Sequence, residues 1–410
     1  MKVTIASHRT PRAAGVTAAA SAIATPAITS AGPTKIAPRP VTVATPTGIA
    51  APTTASGTFA RGQRGPGAER AIGPIRPRGG QIRPEVAAHE VPMAASEPEP
   101  SAKLISASRR GDVPRYYAQW FAERRRDGFA EYRTAFGVPG RVSLRSSDVL
   151  AYLFWTRDAR PFMPELRALL TEGAVCALQF TINGYGRELE PHRPSLRGAI
   201  ESFRAVASLL PGPESIQWRY DPIILSERYP PSYHVARFRS LADQLEGYTK
   251  VVNVSVVEPY IKAVRRMADD RVRYRAVDPR RHRSVAKRYP DLPVAADAAA
   301  LLRTLATVAD EHGAELRICC NPEYAEQAAA PASQCIGAEL FAPYGAQVSS
   351  RVAALPDAPS RSACRCLRSV DIGMDNTCLA GCKYCYVTTS LEAAIKNYRA
   401  HDPRSPFLRR

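Results

Sequence analysis

From residue 103 onward, short runs of apolar residues alternate along the chain with longer amphipathic stretches. Short continuous apolar runs are typical of strands, and apolar positions three or four residues apart are typical of helices. Strands are predicted at 103–108, 152–156, 175–182, 215–220, 251–257, 316–320 and 369–372, and helices at 113–127, 161–172, 195–210, 233–247, 258–271, 296–312 and 391–399. Strands that alternate with helices in this way predict an α/β protein with a parallel sheet.

We expect this sheet to close into a TIM-barrel-like (βα) barrel, although the alternation alone is also consistent with an open sheet. In both arrangements the chemistry lies at the carboxyl ends of the strands. The residues that follow the predicted strands are unusually polar. Arg109, Arg110 and Asp112 follow the first strand, and Arg219 and Asp221 lie at the carboxyl end of the fourth, so we predict that these five residues contact substrate or cofactor.

Further polar residues stand after the other strands. They are Thr156, Arg157, Asp158, Thr181, Asn183, Tyr185, Glu258, Asn321 and Asp371. Simpler roles are open for some of these residues, because Asp112 or Asp158 can cap a following helix and Arg219 with Asp221 can form a structural ion pair. A closed sheet would bring all of these side chains to one rim.

Residues 1–100 have a different composition from the rest of the chain. They are dominated by Ala, Thr, Pro, Gly and Ser and contain no acidic residue before Glu69. Such a segment cannot bury enough apolar surface to offset its ordering entropy, so a disordered tail is predicted at 1–100, followed by one folded domain at 101–410. A targeting peptide is disfavoured by the density of proline. No run of 18 apolar residues and no signal-peptide core is present, which predicts a cytoplasmic protein without a membrane partner.

The chain is basic, with a formal net charge of +18. The tail contributes eleven Lys and Arg against five Glu, which leaves 45 basic against 33 acidic residues in the predicted folded domain. Nucleic acid is therefore an open partner. The densest basic stretches are 124–126 and 265–288. Arginines spread over solvated faces are the more frequent explanation for such a composition.

Three cysteines form the most informative motif. Cys378, Cys382 and Cys385 are spaced C-x3-C-x2-C, and Tyr384 directly precedes the last of them. Three thiolates on such a loop can hold three irons of a [4Fe–4S] cluster and leave the fourth iron open, while Gly381 lets the backbone turn between the first two ligands. This spacing is typical of radical SAM enzymes, so we predict an iron–sulfur site here.

Zinc is the alternative metal, because thiolates bind Zn²⁺ as well as iron. A zinc site would need a fourth ligand, which His401, Cys364 or Cys366 can supply. The nine cysteines of this chain are interpreted as metal ligands rather than disulfides.

The remaining cysteines suggest a second metal site. Cys319 and Cys320 end a predicted strand, Cys335 follows 15 residues later, and Cys364 and Cys366 stand just before the last strand. A metal held by four of them would help to order the segment 325–363, for which little regular structure is predicted. Free reduced thiols are the alternative. Cys176 lies inside an apolar strand and is predicted to belong to the core.

Several long motifs resemble one bacterial family, domain of unknown function eighteen-forty-eight. The matching segments are 104–114 (LISASRRGDVP), 154–156 (FWT), 179–181 (QFT), 218–222 (WRYDP), 369–386 (SVDIGMDNTCLAGCKYCY) and 401–406 (HDPRSP). The resemblance runs from about 103 to 408. The family is uncharacterised, with a C-terminal cysteine cluster similar to the one that radical SAM enzymes carry near their N-terminus. This difference in position implies a circularly permuted radical-SAM-like barrel, in which the unit of strand, cysteine loop and helix has moved from first to last.

The resemblance also implies a chemistry. The open iron would bind S-adenosylmethionine, and an electron from a donor such as a flavodoxin or ferredoxin would drive its cleavage, so that a 5′-deoxyadenosyl radical abstracts hydrogen from an unknown substrate. Arg109, Arg110, Arg219 and Asp221 would be the candidate contacts. The alternatives are a non-catalytic zinc or iron–sulfur protein, an electron-transfer protein, and a nucleic-acid repair lyase of the radical SAM type.

Overall fold

The computed structural model describes residues 102–134, 137–269, 273–361 and 363–409. The predicted disordered tail at 1–100 lies outside the described residues. Within them, no helix combines the length and the apolar character that crossing a bilayer requires.

Seven parallel strands form the central sheet, in the order β10-β8-β6-β5-β4-β1-β11. The strands are β1 (Lys103–Ala107), β2 (Phe129–Arg133), β3 (Pro139–Ser143), β4 (Val149–Thr156), β5 (Cys176–Thr181), β6 (Ile216–Ile223), β7 (Leu225–Ser226), β8 (Val251–Val256), β9 (Tyr274–Arg275), β10 (Glu315–Ile318) and β11 (Val370–Asp371). The seven predicted strands are the seven strands of this sheet. Two small antiparallel pairs, β2 with β3 and β7 with β9, were not predicted.

Helices connect the strands as predicted, although some are shorter. They are α1 (Val113–Tyr116), α2 (Ala118–Asp127), α3 (Met163–Thr171), α4 (Leu196–Ala207), α5 (Pro231–Leu245), α6 (Ile261–Asp269), α7 (Arg283–Arg288), α8 (Ala298–Glu311), α9 (Pro322–Ala328), α10 (Ala346–Ala353) and α11 (Leu391–Arg399). Local signals set several ends: the Ser195 and Ser390 side chains accept hydrogen bonds from the backbone N–H groups of Gly198 and Ala393, and Gly128 ends α2 in the left-handed region.

The predicted closed barrel is not found in the described part of the chain. Strands β10 and β11 are the two edges of the sheet, and no ladder joins them. The free edge of β10 is taken by an irregular segment instead, because the N–H of Ile318 donates to the carbonyl of Pro331 and the N–H of Ser333 donates to the carbonyl of Ile318, each at 2.9 Å. A strand edge that is already hydrogen-bonded in this way cannot pair with β11.

Both faces of the sheet are buried. Ile105, Phe154 and Leu178 pack on one face against the helices, where Cys176 also lies in the core as predicted. Alternate residues of the same strands, such as Leu104 and Leu153, pack on the other face against a segment that includes Ile336, Leu340 and Phe341. A segment that includes Ile336, Leu340 and Phe341 therefore covers this second, inner face of the sheet at β1, β4 and β5, and burial on both faces explains why a run such as 149–155 is continuously apolar.

Candidate functional site

A cavity of about 250 Å³ lies at the carboxyl ends of the parallel strands. It is lined by residues that end or follow every strand of the central sheet. All site residues predicted from the sequence line this cavity: Arg109, Arg110, Asp112, Arg219, Asp221, Cys319, Cys320, Cys335, Cys364, Cys366, Cys378, Cys382, Tyr384 and Cys385. The structure thus brings the ends of four strands, β1, β6, β10 and β11, and both groups of cysteines to one place.

The cysteine loop spans residues 377–388. One residue within it and one just before it have positive φ angles, which turn the backbone. Gly381 has φ 68° between the first two cysteines, where the sequence predicted a turn, and Asn376 has φ 58° just before the loop. The N–H of Cys385 donates to the carbonyl of Cys382 at 3.1 Å, which closes the segment between the last two cysteines. These turns direct Cys378, Cys382 and Cys385 to the cavity.

Neighbouring elements hold the loop from outside. The hydroxyl of Tyr117 donates to the carbonyl of Thr377 at 2.8 Å. Arg266 of α6 donates to the carbonyl oxygens of Thr388, at 2.9 Å, and of Cys385. The loop is therefore fixed to both the first and the fifth βα unit of the chain.

A buried polar network holds the middle of the loop. The carboxylate of Glu190 accepts hydrogen bonds from Arg157 at 2.9 Å, from Asn183 at 3.0 Å and from the hydroxyl of Tyr384. Arg157 also donates to the Tyr384 hydroxyl at 2.6 Å. Glu190 is 1% exposed, so the ion pair and its hydrogen bonds are shielded from water.

Asp112 has the capping role that the sequence left open. Its Oδ1 accepts hydrogen bonds from the N–H of Arg115 at 3.1 Å and from the hydroxyl of Thr156 at 2.7 Å, and its Oδ2 accepts from the N–H of Arg157 at 3.0 Å. Burial raises the pKa of Asp112 to about 6, against the lowering effect of Arg115 and of these hydrogen bonds. Its carboxylate joins the ends of β1 and β4.

The side chain of Arg110 is paired within the protein, whereas the side chain of Arg109 lines the cavity. Arg110 forms an ion pair with Asp375 at 2.8 Å. The backbone N–H of Arg109 donates to Asp371 at 2.9 Å, and none of the ion pairs among the described residues involves the Arg109 side chain. Of the two neighbouring arginines, Arg109 is the one that can pair with a bound anion.

Arg219 and Asp221 form the ion pair that the sequence left open as a structural alternative. Arg219 also donates to Sγ of Cys335 at 3.1 Å and lies over the ring of Trp155, with 5.2 Å between the guanidinium carbon and the ring centroid. The Ser255 hydroxyl donates to Asp221. The Arg219–Asp221 ion pair therefore contacts Cys335, in the second group of cysteines, as well as lining the cavity.

Burial raises the pKa of Cys378 and raises that of Cys382 to about 11, with Arg157 opposing the second shift. The three thiols of the loop also influence one another electrostatically, since Cys382 and Cys385 both raise the pKa of Cys378. Among the described residues, however, no three His, Cys, Asp or Glu side chains are already arranged as the ligands of a metal ion.

The three proposed fourth ligands for a zinc site at this loop are differently placed. His401 does not line the cavity; its Nδ1 contacts the carbonyl of Leu408 at 3.0 Å, and its ring packs against Tyr117. Cys364 and Cys366 line the cavity, and the neighbours that shift their pKa values most are Cys320 and Cys335, respectively, rather than the thiols of the cysteine loop.

Sequence reasoning missed three residues around the site: Glu190, Arg266 and Arg361. Glu190 and Arg361 lie in connecting segments, and Arg266 lies on a helix, so no strand end marked them. Arg157 and Asn183, in contrast, stood at strand ends and were noticed for that reason.

The predicted basic stretch at 124–126 is held by carboxylates of the same chain. Arg124 pairs with Asp127, Arg126 pairs with Glu123, and Arg125 pairs with both Glu165 and Glu172. Arg124 is also 1% exposed. Each of these three arginines therefore has a carboxylate partner within the protein, and nucleic acid stays an untested partner.

The sequence model of one family, described as Domain of unknown function (DUF1848), matches residues 104–387. The match includes the cysteine loop and ends before the HDPRSP segment at 401–406. A comparison with curated proteins finds no match.

Proposed function

The chain belongs to the DUF1848 family, and on that basis we propose that it is an iron–sulfur protein resembling radical SAM enzymes. The observation that carries the proposal is the position of Cys378, Cys382 and Cys385. Their C-x3-C-x2-C loop follows a parallel strand at the carboxyl end of the sheet and faces a cavity lined by the ends of all the other strands. In βα folds this is the place where cofactors and substrates bind.

The residues present fit a [4Fe–4S] cluster with one open iron better than they fit a structural zinc site with four protein ligands. Three thiols face the cavity, and His401 does not join them. A structural zinc ion needs four protein ligands, whereas a cluster with three protein thiolates leaves one position for a small molecule. Cys378, Cys382 and Cys385 are therefore the residues that would hold the cluster.

The strand order supports the permuted arrangement inferred from the sequence. The last strand, β11, pairs with the first, β1, and the other strands follow in chain order to β10. If the last βα unit is counted first, the strands run in sequence from one edge of the sheet to the other. A cysteine loop after the first strand of such a series is the arrangement that the resemblance to radical SAM enzymes implies.

The protein's own residues would orient the bound groups. The network of Glu190, Arg157 and Tyr384 fixes the loop, and Arg109 offers a guanidinium for a carboxylate or phosphate. Together with S-adenosylmethionine, a reduced cluster would supply one-electron cleavage chemistry for an unknown substrate. The electron would come from a donor such as a flavodoxin or ferredoxin.

The test is anaerobic purification of the full chain, with iron and acid-labile sulfide quantified and electron paramagnetic resonance recorded before and after adding S-adenosylmethionine. A reduced-cluster signal that shifts on addition supports the proposal. The Cys378→Ser variant is expected to lose the signal, whereas Cys176→Ala, which removes a core thiol away from the cavity, is expected to keep it. Zinc in place of iron, or a signal that ignores S-adenosylmethionine, would contradict the enzyme proposal and leave a structural or electron-transfer protein.

A further inference from the structure

Five cysteines outside the loop converge into one cluster of thiols. Cys319 and Cys320 follow β10, Cys335 lies in the segment beside that strand, and Cys364 and Cys366 precede β11. We call these residues the five-cysteine cluster. All line the cavity and all are free thiols.

Three of the thiols contact one another directly. The distance between the Sγ atoms of Cys319 and Cys320 is 3.6 Å, and that between Cys335 and Cys319 is 3.5 Å. Cys364 and Cys366 line the same cavity, close enough to Cys320 and to Cys335, respectively, for each pair of thiols to shift one another's pKa. Residues separated by up to 47 positions in the sequence thus come together at one cavity.

The two distances among Cys319, Cys320 and Cys335 are close to the spacing of neighbouring ligands of a single thiolate-bound ion, although no three ligands among the described residues are yet arranged around one point. With a Zn–S bond of about 2.3 Å, tetrahedral geometry places the sulfurs about 3.8 Å apart. A disulfide would need about 2.05 Å. The corners of an iron–sulfur cluster would hold the thiolates farther apart than one ion does, because each thiolate then binds a different iron.

The backbone at Cys320 is shaped to bring neighbouring thiols together. Successive side chains of an extended strand point to opposite faces, so Cys319 and Cys320 would normally diverge. Cys320 instead has φ 56°, in the left-handed region that non-glycine residues rarely adopt. Such a conformation is unfavourable for a residue with a Cβ and is kept only where its surroundings demand it. Here it allows two consecutive thiols to face the same point.

Two arginines offset the negative charge of such a site. Four thiolates around a divalent ion carry a net charge of about −2. Arg219 donates to Sγ of Cys335 at 3.1 Å, and Arg361 is buried close enough to Cys319 and Cys320 for those thiols to raise its pKa, against the lowering effect of burial. None of the ion pairs among the described residues involves Arg361. Arg361 donates to the hydroxyl of Tyr260 at 3.4 Å, and Tyr260 is the neighbour that raises its pKa most, followed by Cys320 and Cys319. With no carboxylate partner among the described residues, its charge is available to balance thiolates at this site.

A buried amide network positions Cys335 from behind. Gln179 donates to the carbonyl of Cys335 at 2.8 Å and to Gln217 at 2.7 Å. Asn253 donates to Gln217 at 2.7 Å and accepts from the hydroxyl of Ser333 at 2.5 Å. Hydrogen-bonded support of this kind around the ligands is usual for metal sites.

We propose that the five-cysteine cluster binds one thiolate-coordinated metal ion of the zinc class, through four of its five sulfurs. Binding would replace the protons that the thiols now share. The ion would fasten the segment from 329 to 368 to the edge of β10 and so complete the cavity wall. This site is independent of the iron–sulfur site proposed for the cysteine loop.

The test compares the full-length wild type with two multiple variants, purified anaerobically and treated with a chelator before zinc, iron and sulfide are quantified. The loop variant carries Cys378→Ser, Cys382→Ser and Cys385→Ser; the cluster variant carries Cys319→Ser and Cys366→Ser. The loop variant is expected to keep one zinc-class ion per chain and to lose all iron and sulfide. The cluster variant is expected to lose that ion.

Two further measurements keep the proposal decidable if the cluster variant does not fold. Cobalt(II) added to the metal-free loop variant is expected to give the intense absorption of tetrahedral thiolate coordination. The Cys176→Ala variant is expected to bind metals as the wild type does. The proposal is overturned if the loop variant binds neither zinc nor cobalt, if it retains iron with matching sulfide, or if thiol titration finds a disulfide within the five-cysteine cluster.

Discussion

Replacing Glu190 by glutamine tests whether the buried network fixes the cysteine loop. The substitution removes one negative charge but preserves the side-chain shape, and it leaves Arg157 without its ion-pair partner. Side chains of the pair are 12% and 1% exposed, so water cannot replace the lost interaction. Removing one partner of a buried ion pair costs about 3–5 kcal/mol.

We expect a loss near the lower end of that range, about 3 kcal/mol, because glutamine retains an oxygen that can accept from Asn183. A loss of this size changes the folding equilibrium constant by roughly 100-fold. Urea unfolding of the full chain measures it as a lower midpoint with an unchanged slope. Iron content after anaerobic purification should fall as well, since the hydrogen bond from Tyr384, beside Cys385, weakens when its acceptor loses its charge.

Glu201→Gln is the matched control. It makes the same chemical change in an ion pair with Arg197 whose side chains are 57% and 89% exposed. Exposed pairs of this spacing contribute only about 0.3–0.5 kcal/mol. If Glu190→Gln costs no more than Glu201→Gln, or if it leaves iron content unchanged, the network does not hold the loop and the reasoning is wrong.

Three other predictions follow from single positions. Gly381→Ala places a Cβ on a residue with φ 68° and is expected to lower the free energy of unfolding by about 1–2 kcal/mol and to reduce the iron content. Gly247→Ala is the control: its φ is 78° and the space around it is open, so it should lower stability by about the same amount without changing the iron content. Equal losses of iron in the two variants would refute the role of the turn at Gly381. Gly373→Ala would place a Cβ 1.8 Å from the hydroxyl oxygen of Ser108, so soluble folded protein is expected to be lost, and a normal unfolding transition would show that β1 and the loop are not packed as described. Burial lowers the pKa of His234 to about 4 among the rings of Tyr220, Tyr185 and Tyr233. As the pH drops from 6.5 to 4 the unfolded chain therefore binds a proton at this histidine before the folded chain does, and the free energy of unfolding should fall by up to about 3 kcal/mol. The His234→Gln variant should lack that part of the pH dependence, and identical profiles of stability against pH for the two proteins would count against the prediction.

The strand-and-helix alternation was readable from sequence because each strand of the central sheet is buried on both faces. Burial on two faces leaves a continuous apolar run, as in 149–155, which stands out between amphipathic helices. The pairs β2 with β3 and β7 with β9 escaped notice, since β7 and β9 have only two residues each and carry no period. Helices α9 and α10 were not predicted, because the segment that contains them is stabilised by its contacts with the sheet rather than by a local apolar period.

Strand ends and cysteine spacing determined most of the candidate site. Chemistry-bearing residues such as Arg109, Arg219 and Cys378 stand next to predicted strands, and parallel strands must bring those ends to one side. Glu190, Arg266 and Arg361 do not stand next to the end of a predicted strand. Their place at the site depends on how connecting segments and helices fold back, which local sequence does not specify.

The sequence by itself determined a parallel α/β sheet, the polar character of its carboxyl edge and a three-cysteine loop there, because these features depend on local periodicity and short-range spacing. Only the tertiary structure decided that the sheet stays open and that five distant cysteines meet. Both outcomes depend on the packing of residues 329–368 against the inner face of the sheet. Long-range packing of this kind reflects the whole set of buried surfaces and hydrogen bonds, and no single stretch of sequence encodes it.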